Sequence, residues 1–505
     1  MIELKNISLS YTSSDGGENG AAGGLGESVS NGSLKNINLT VSDGEFVLLT
    51  GGSGCGKTSI LRLINGLIPN FYEANLTGSV YVNGQDVSNA ELYDTAKIVS
   101  TVFQNPRSQF FNVDTTSELA FACENRGMPE DEILRRIDLT VKKLHLENLM
   151  NRSLFNLSGG QKQKIACASV AVTGNQIILL DEPSANLDLR TIADLQTLLS
   201  EWKAEGKTIV VAEHRISYLW NLADRTIILK EGQIDKELSR QEMDCATEEF
   251  LHSLGLRSNK EHQLKLNPDE VDTDGRNLPP PTFQNLPQNS SDADCLLIRN
   301  FRYKYKNGCL ALNIPQMQIA KGRITAITGN NGEGKTTFLN CLCGLGHRSK
   351  GGLFYNGKNY SRRKRQKLIY LVMQDVNHQL FTESVLDEVL ISQTDEDEEE
   401  ARRILASLDL ADFSDRHPQS LSGGQKQRVA VAAAIASGRD IMLFDEPTSG
   451  LDYTHMLQIG KILAGLKEMG KTVIVVTHDR ELIKECCDQE IRLADYNSVA
   501  KANQS

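Results

Sequence analysis

Long apolar runs are missing from this 505-residue chain. None approaches the roughly 18–20 residues that a membrane helix needs, which excludes a protein that crosses a bilayer on its own helices. Cysteine is sparse as well, ten in all, and no paired CxxC spacing of a zinc site occurs. Cys341 and Cys343, and the adjacent Cys486 and Cys487, leave reduced thiols in a cytoplasmic protein as the expectation. Positive charge is in deficit: 54 Lys and Arg against 65 Asp and Glu give a net charge of −11. That balance argues against a surface built mainly to coat nucleic acid or anionic lipid. The first residues, MIELKNISLSY, alternate like a strand where a signal peptide would place an apolar stretch. What the chain does have is a hydrophobic fraction of 40%, ordinary for packed cores. At roughly 100–200 residues per domain, its length allows two to four domains.

The chain is written twice. GGSGCGKT at 51–58 returns as GNNGEGKT at 329–336, and LSGGQKQ at 157–163 returns at 421–427. IILLDEPSANLD at 177–188 returns as IMLFDEPTSGLD at 441–452. The offset is 278 at the glycine loop and a constant 264 at Ser158/Ser422, Glu182/Glu446 and His214/His478. Between the copies, 253–293 carries Pro268, Pro279, Pro280, Pro281 and Pro287 among polar residues, and reads as a linker. A coil of that length spans roughly 35 Å, enough for two domains to meet face to face. The expected organisation is therefore a first domain at 1–252, the linker at 253–293 and a second domain at 294–505. The glycine-rich stretch at 15–32 of the first copy reads as a flexible hairpin loop, because it lacks the Lys and the following helix of a phosphate cradle. Short β-branched runs (Phe46–Leu49, Ile177–Leu180, Thr208–Val211, Val473–Val476) alternate with helical stretches such as Asp131–Leu149 and Asp194–Ala204. That alternation predicts an α/β fold with buried, largely parallel strands.

Each glycine loop follows an apolar strand (FVLLT, ITAIT) and opens a helix, the context that a phosphate-binding loop requires. Gly51, Gly52, Ser53, Gly54, Cys55, Gly56, Lys57 and Thr58 form the first loop. Gly329, Asn330, Asn331, Gly332, Glu333, Gly334, Lys335 and Thr336 form the second. The glycines let backbone N–H groups face a phosphate, and the helix N-terminus adds favourable dipole charge. Lys57 and Lys335 are placed to bridge β- and γ-phosphates, with the Thr58 and Thr336 hydroxyls on Mg²⁺. A second strand in each copy ends in acid, Asp181-Glu182 and Asp445-Glu446. The first acid of each pair suits Mg²⁺; the second suits an attacking water, which it orients or deprotonates. His214 and His478 follow a third apolar strand, 32 residues beyond those glutamates, as candidate γ-phosphate sensors. Cys55 reads as a small neutral filler of its loop, with an oxidisable thiolate stabilised by the loop amides as the alternative.

With these motifs in register, both copies resemble the ABC transporter ATPases almost end to end, and LSGGQ is that family's signature. The resemblance implies two tandem P-loop NTPase domains. Each would have a mainly parallel sheet core, an antiparallel β subdomain and a helical subdomain. It implies ATP and Mg²⁺ as ligands and an intramolecular pairing in which each ATP is sandwiched between one domain's loop and the other's LSGGQ. Ser158 and Gly160 would then cap the ATP on Lys335, and Ser422 and Gly424 the ATP on Lys57. Gln104 in TVFQNP and Gln374 in LVMQD match the family's Q-loop glutamine, a Mg²⁺ and water contact; Asp188 and Asp452 match its D-loop. Tyr11 and Tyr305 hold the place of its adenine-stacking aromatic, with Tyr303 a rival for the second.

Finer features, FQNPRSQFF at 103–111, AEHR at 212–215 and MQDVNHQLFTESVLDEV at 373–389, resemble the energy-coupling factor importers of vitamins and transition-metal ions. That implies an ATPase peripheral to the cytoplasmic face of the membrane, held by a membrane-embedded scaffold protein and working with a substrate-capturing membrane protein. No nucleic acid partner is expected. The apolar Phe110, Phe111 and Val113 after Gln104, and Leu380, Phe381 and Val385 after Gln374, are expected to form a protein interface. Two alternatives stand beside this reading: a soluble tandem ABC ATPase acting on the ribosome, and the ATPase of another ABC transporter. The first would be expected to carry a basic helical linker, which is lacking. A tandem sugar-importer ATPase typically lacks catalytic residues in its second copy, and Glu446 and His478 are present.

Overall fold

The computed structural model describes residues 1–11, 33–185, 187–260, 295–306, 308–421 and 423–499. The glycine-rich stretch at 15–32, Ser422 and the expected linker from residue 261 onward lie outside them. The chain divides into two compact units, Met1–Glu261 with Gly450–Thr454 and His262–Ser449 with His455–Ser505.

The first unit is organised around a six-stranded sheet. Its order is Gln233–Ser239, Arg225–Lys230, Phe46–Gly51, Thr208–Ala212, Ile177–Asp181 and Val99–Val102. All neighbours are parallel except the first two, which pair antiparallel. Phe46–Gly51, Ile177–Asp181 and Thr208–Ala212 are buried along their whole length. This is why they read as unbroken apolar runs instead of alternating ones: a central parallel strand is covered on both faces. A second sheet, Leu34–Val41, Ile2–Tyr11, Ala74–Val82 and Gln85–Asp86, is antiparallel. A helical part, Thr115–Glu124, Glu130–Lys143 and Gly159–Thr173, buries its own cluster around Leu119, Ile137 and Ile165.

The second unit repeats this plan. Its parallel sheet runs Ile369–Val372, Ile441–Asp445, Thr472–Val476, Ile324–Thr328 and Gln489–Arg492. Its antiparallel sheet runs Leu310–Ala320, Cys295–Lys304, Lys350–Tyr355 and Lys358–Asn359. Val385–Leu390, Glu398–Ser407 and Gly423–Ala436 supply the helices beside it. The expected fold class is thus observed in both copies.

Register places the chemistry. Leu49 and Asp181 both pair with Ala212, so Gly51, Glu182 and His214 emerge together at the carboxyl edge of the sheet. Ile327 and Asp445 likewise pair with Val476, ahead of Gly329, Glu446 and His478. Ligands of open parallel sheets gather at this edge. Two helices differ from expectation. The first ends at Lys143 instead of running to Leu149, where a separate 3₁₀ turn, Glu147–Leu149, takes over after His145 enters the left-handed region. The second begins at Leu189, five residues early, because the Asp188 carboxylate accepts the Thr191 N–H (2.8 Å) and caps it.

Candidate functional site

In the first loop, Gly51 has φ 141° and a Cβ there would stand 2.1 Å from the Leu229 carbonyl oxygen. At Gly56 (φ 104°) a Cβ would meet a Leu34 methyl at 2.4 Å. Only glycine fits, and the loop closes tightly onto the helix Lys57–Ile64. Lys57 is buried and folds back over its loop, donating to the Gly51 and Gly52 carbonyls (3.0 Å each). Lys335 does the same to Gly329 (2.7 Å) and Asn330 (3.0 Å), at the start of the helix Lys335–Leu342. Each ammonium is held where a phosphate can exchange for those carbonyls. Cys55 is buried with its sulfur 3.7 Å from Lys57 Nζ, and burial pushes the thiol above its ordinary range, as a neutral filler requires. In the second loop the same position is Glu333, whose carboxylate accepts from Asn330 Nδ2 (2.8 Å).

The Thr58 hydroxyl donates to Asp181 Oδ1 (3.0 Å). Burial, then the charge of Glu182, lifts the Asp181 carboxyl to about 6 against these favourable contacts. Burial also raises Asp445, whose buried Oδ1 has no hydrogen-bond partner among the described residues. Two buried carboxylates beside threonine hydroxyls, one with an orphaned oxygen, are a hard-oxygen donor set that fits Mg²⁺.

Glu182 and Glu446 both have positive φ, 43° and 49°. A non-glycine residue there costs of order 1–3 kcal/mol, and such strain concentrates at functional sites. Each is pinned by a backbone bond that prolongs its strand, Glu182 N–H to Ala212 O and Glu446 N–H to Val476 O (2.8 Å each). The side chains meet their histidines: His214 Nε2 lies 3.3 Å from Glu182 Oε1, and His478 Nε2 lies 3.4 Å from Glu446 Oε1. Gln104 Nε2 donates to Glu182 Oε2 (2.6 Å). Burial opposes charge on Glu182, but the hydrogen bond and charge of His214, with Lys57 and Gln104, hold its carboxyl below the ordinary value. It is therefore ionised at neutral pH, as a proton acceptor must be. Gln374 stands exposed just beyond the strand Ile369–Val372.

Tyr11 and Tyr305 make equivalent contacts. The Tyr11 hydroxyl bonds Ser59 (3.0 Å) and the Tyr305 hydroxyl bonds Thr337 (2.7 Å), residues that match across the two loops. Tyr305 is 43% exposed, whereas Tyr303 meets it edge-on and packs on the core. Ser158 is the N-cap of the helix Gly159–Thr173 in a reciprocal box: its hydroxyl accepts from Gln161 N (3.3 Å) and Gln161 Oε1 from Ser158 N (3.0 Å). Gly160 lies in the first turn of that helix and Gly424 in the first turn of its counterpart, Gly423–Ala436.

Beside Gln104 and Gln374 the expected apolar residues separate. Phe111 (76% exposed), Val113 (63%) and Phe381 (73%) face solvent. Leu380 and Val385 are buried, and Phe110 is half-buried against the core, so only Phe111, Val113 and Phe381 stand out as surface residues. At each exposed phenylalanine the backbone is held by a buried glutamate not singled out in the sequence. Glu118 Oε2 accepts the Phe111 and Asn112 N–H groups (3.0 and 2.9 Å). Glu388 Oε2 accepts those of Phe381 and Thr382 (3.0 and 3.1 Å). Their one visible signal was a common offset of 270, shared with Gln104/Gln374. A groove of about 300 Å³ adjoins Phe111, lined also by Tyr93, Thr101, Phe121 and Val170.

The family model for ABC transporters matches residues 34–185 and 312–449. A protein of Treponema denticola that carries the name ABC transporter ATP-binding protein is 41% identical over 98% of this chain and 95% of its own length. A protein of the same name from Methanosarcina acetivorans is 30% identical over 91% of this chain and 81% of its own. Among solved structures, an archaeal ribosome recycling factor in complex with ribosomal stalk protein aP1 superposes with a TM-score of 0.59. It is 22% identical and covers 91% of this chain and 84% of its own, a likeness of fold alone.

Proposed function

Because the chain belongs to the ABC transporter family, we propose that it is the energy-coupling ATPase of an importer of the energy-coupling factor type. Its place would be the cytoplasmic face of the membrane, and its cargo a vitamin or a transition-metal ion. The chain hydrolyses ATP, and no helix among the described residues is long and apolar enough to cross a membrane. Selection of cargo therefore falls to a separate membrane protein, and force passes through a membrane-embedded scaffold. In this reading Lys57 and Lys335 bind the β- and γ-phosphates. Glu182 and Glu446 take the proton of the attacking water. His214 and His478 hold those carboxylates and sense the γ-phosphate. When bound, Mg²⁺ neutralises charge developing on the phosphate oxygens, held by Thr58 with Asp181 and by Thr336 with Asp445, and approached by Gln104 and Gln374. The two units pair within one chain, Ser158 and Gly160 over the ATP of Lys335 and Ser422 and Gly424 over that of Lys57.

The observation that carries the transport reading is the presentation of Phe111 and Phe381. Each is a large apolar side chain held out to solvent seven residues past a matched glutamine, Gln104 or Gln374, the first of which donates to Glu182. A buried glutamate invested in keeping a phenylalanine exposed implies a partner that covers it. Phe111→Asp and Phe381→Asp should abolish copurification with membrane proteins and substrate uptake, while ATP binding by the isolated chain persists. Copurification of the unaltered chain with ribosomes instead of membrane proteins would overturn the proposal.

A further inference from the structure

The two units fix their histidines by different means. In the first, the residue before His214 is Glu213, which is 3% exposed. Its Oε1 accepts the backbone N–H groups of His214 (2.8 Å) and Arg215 (3.2 Å). Its Oε2 accepts the Tyr218 hydroxyl (3.0 Å) and the Ser184 N–H (3.2 Å). Ser184 stands two residues after Glu182, and the Glu213 N–H is itself bonded to Leu49 O (3.0 Å), in the strand that leads into the phosphate loop. One carboxylate thus uses its acceptor sites to tie the glutamate loop to the histidine loop.

In the second unit the residue before His478 is Thr477, and the carboxylate comes after the histidine, at Asp479. Thr448, which matches Ser184, donates its hydroxyl to Asp479 Oδ2 (2.7 Å), and Asp479 Oδ1 accepts the Leu482 N–H (3.2 Å). The Asp479 N–H turns back onto Thr477 Oγ1 (3.0 Å). The same two loops are tied, by a carboxylate on the other side of the histidine. There the His478 N–H goes to Glu446 Oε2 (3.3 Å), whereas in the first unit that backbone donor is taken by Glu213.

We propose that Glu213 is a positioning residue for ATP hydrolysis at the first site, doing there what the Thr448–Asp479 pair does at the second. It holds the His214 backbone and the Ser184 turn so that imidazole and Glu182 carboxylate stay in register. Buried acceptors that aim a neighbouring catalytic group act through its geometry and not through contact with substrate. The inference rests on Glu182 and His214 having the roles given above, so those residues serve as internal references.

The test is ATP turnover by the full chain with Glu182→Gln, His214→Ala, Glu213→Gln, Glu213→Thr and the triple exchange Ser184→Thr/Glu213→Thr/Arg215→Asp, which installs the second unit's device in the first. A positioning role predicts that Glu213→Thr and Glu213→Gln each remove most of the turnover that Glu182→Gln removes, with ATP affinity within about twofold. The triple exchange should then recover kcat to within about threefold of the unaltered chain. If Glu213→Gln keeps its kcat, or if the triple exchange stays as slow as Glu213→Thr while melting at the native temperature, the proposal is overturned. If Glu182→Gln and His214→Ala both keep full turnover, the assignment of the site falls first, and this inference with it.

Discussion

Replacing either glutamate by glutamine isolates the proton-accepting role from everything else that the side chain does. Glutamine keeps the length, the left-handed backbone at φ 43° or 49° and an oxygen to face the histidine, but it cannot take a proton. Loss of a positioned general base slows a reaction by about 10²–10⁴-fold. At about 1.36 kcal/mol per factor of ten, that removes roughly 2.7–5.4 kcal/mol of transition-state stabilisation. Lys57 and Lys335 reach their loop carbonyls independently of these glutamates, so nucleotide affinity should stay close to normal. The two sites make the measurement sharper. If they fired independently, Glu182→Gln would leave about half of the turnover, since only one base is lost. If the two sites are coupled, each single variant should fall well below one tenth, with ATP binding intact. Steady-state phosphate release and equilibrium binding of a fluorescent ATP analogue read the two quantities apart. A Glu446→Gln chain that hydrolyses ATP at a near-normal rate with its scaffold bound would refute the symmetric reading.

Other expectations follow from burial and charge. Phe381 keeps only about a quarter of its surface from water, so roughly 50 Å² of apolar burial is at stake and Phe381→Ala should cost about 1 kcal/mol in denaturant melts. Phe301, fully buried in the same unit, should cost about 3–5 kcal/mol, and equal losses would show Phe381 to be a core residue. Asp181 has a carboxyl pKa raised to about 6 from 3.8, so the folded state binds its proton more tightly than the unfolded chain does. The penalty for ionising it is absent below pH 4 and complete above about pH 6, where it amounts to roughly 3 kcal/mol. Asp181→Asn should therefore stabilise the nucleotide-free protein above pH 6 and leave it unchanged near pH 4, as thermal melts across that range would show. Solution scattering with ATP and no Mg²⁺ should return a compact particle of the 55.8 kDa chain, and an ATP-dependent doubling of mass would contradict pairing within one chain.

The sequence by itself determined whatever depends on residues close together along the chain. Glycine spacing, the strand before it and the helix after it define the phosphate loops, because a loop that presents backbone N–H groups needs those residues in that order. The apolar runs before Asp181 and Asp445 announced buried parallel strands, and duplication in register announced two copies of one fold. Tertiary structure decided everything set by contacts between distant segments. Phe110 and Phe111 are adjacent and chemically alike, yet one packs inward and the other stands in solvent, because Glu118 on a neighbouring helix holds the backbone between them. Tyr305 is distinguished from Tyr303 by Thr337, which is 32 residues away. Glu213 gains its partners only from the tertiary fold, which brings Ser184 and Tyr218 onto its carboxylate. Local sequence fixes conformation through sterics and periodicity, but burial and hydrogen-bond partnership are set by which strands lie side by side, and that is settled only when the sheet is assembled.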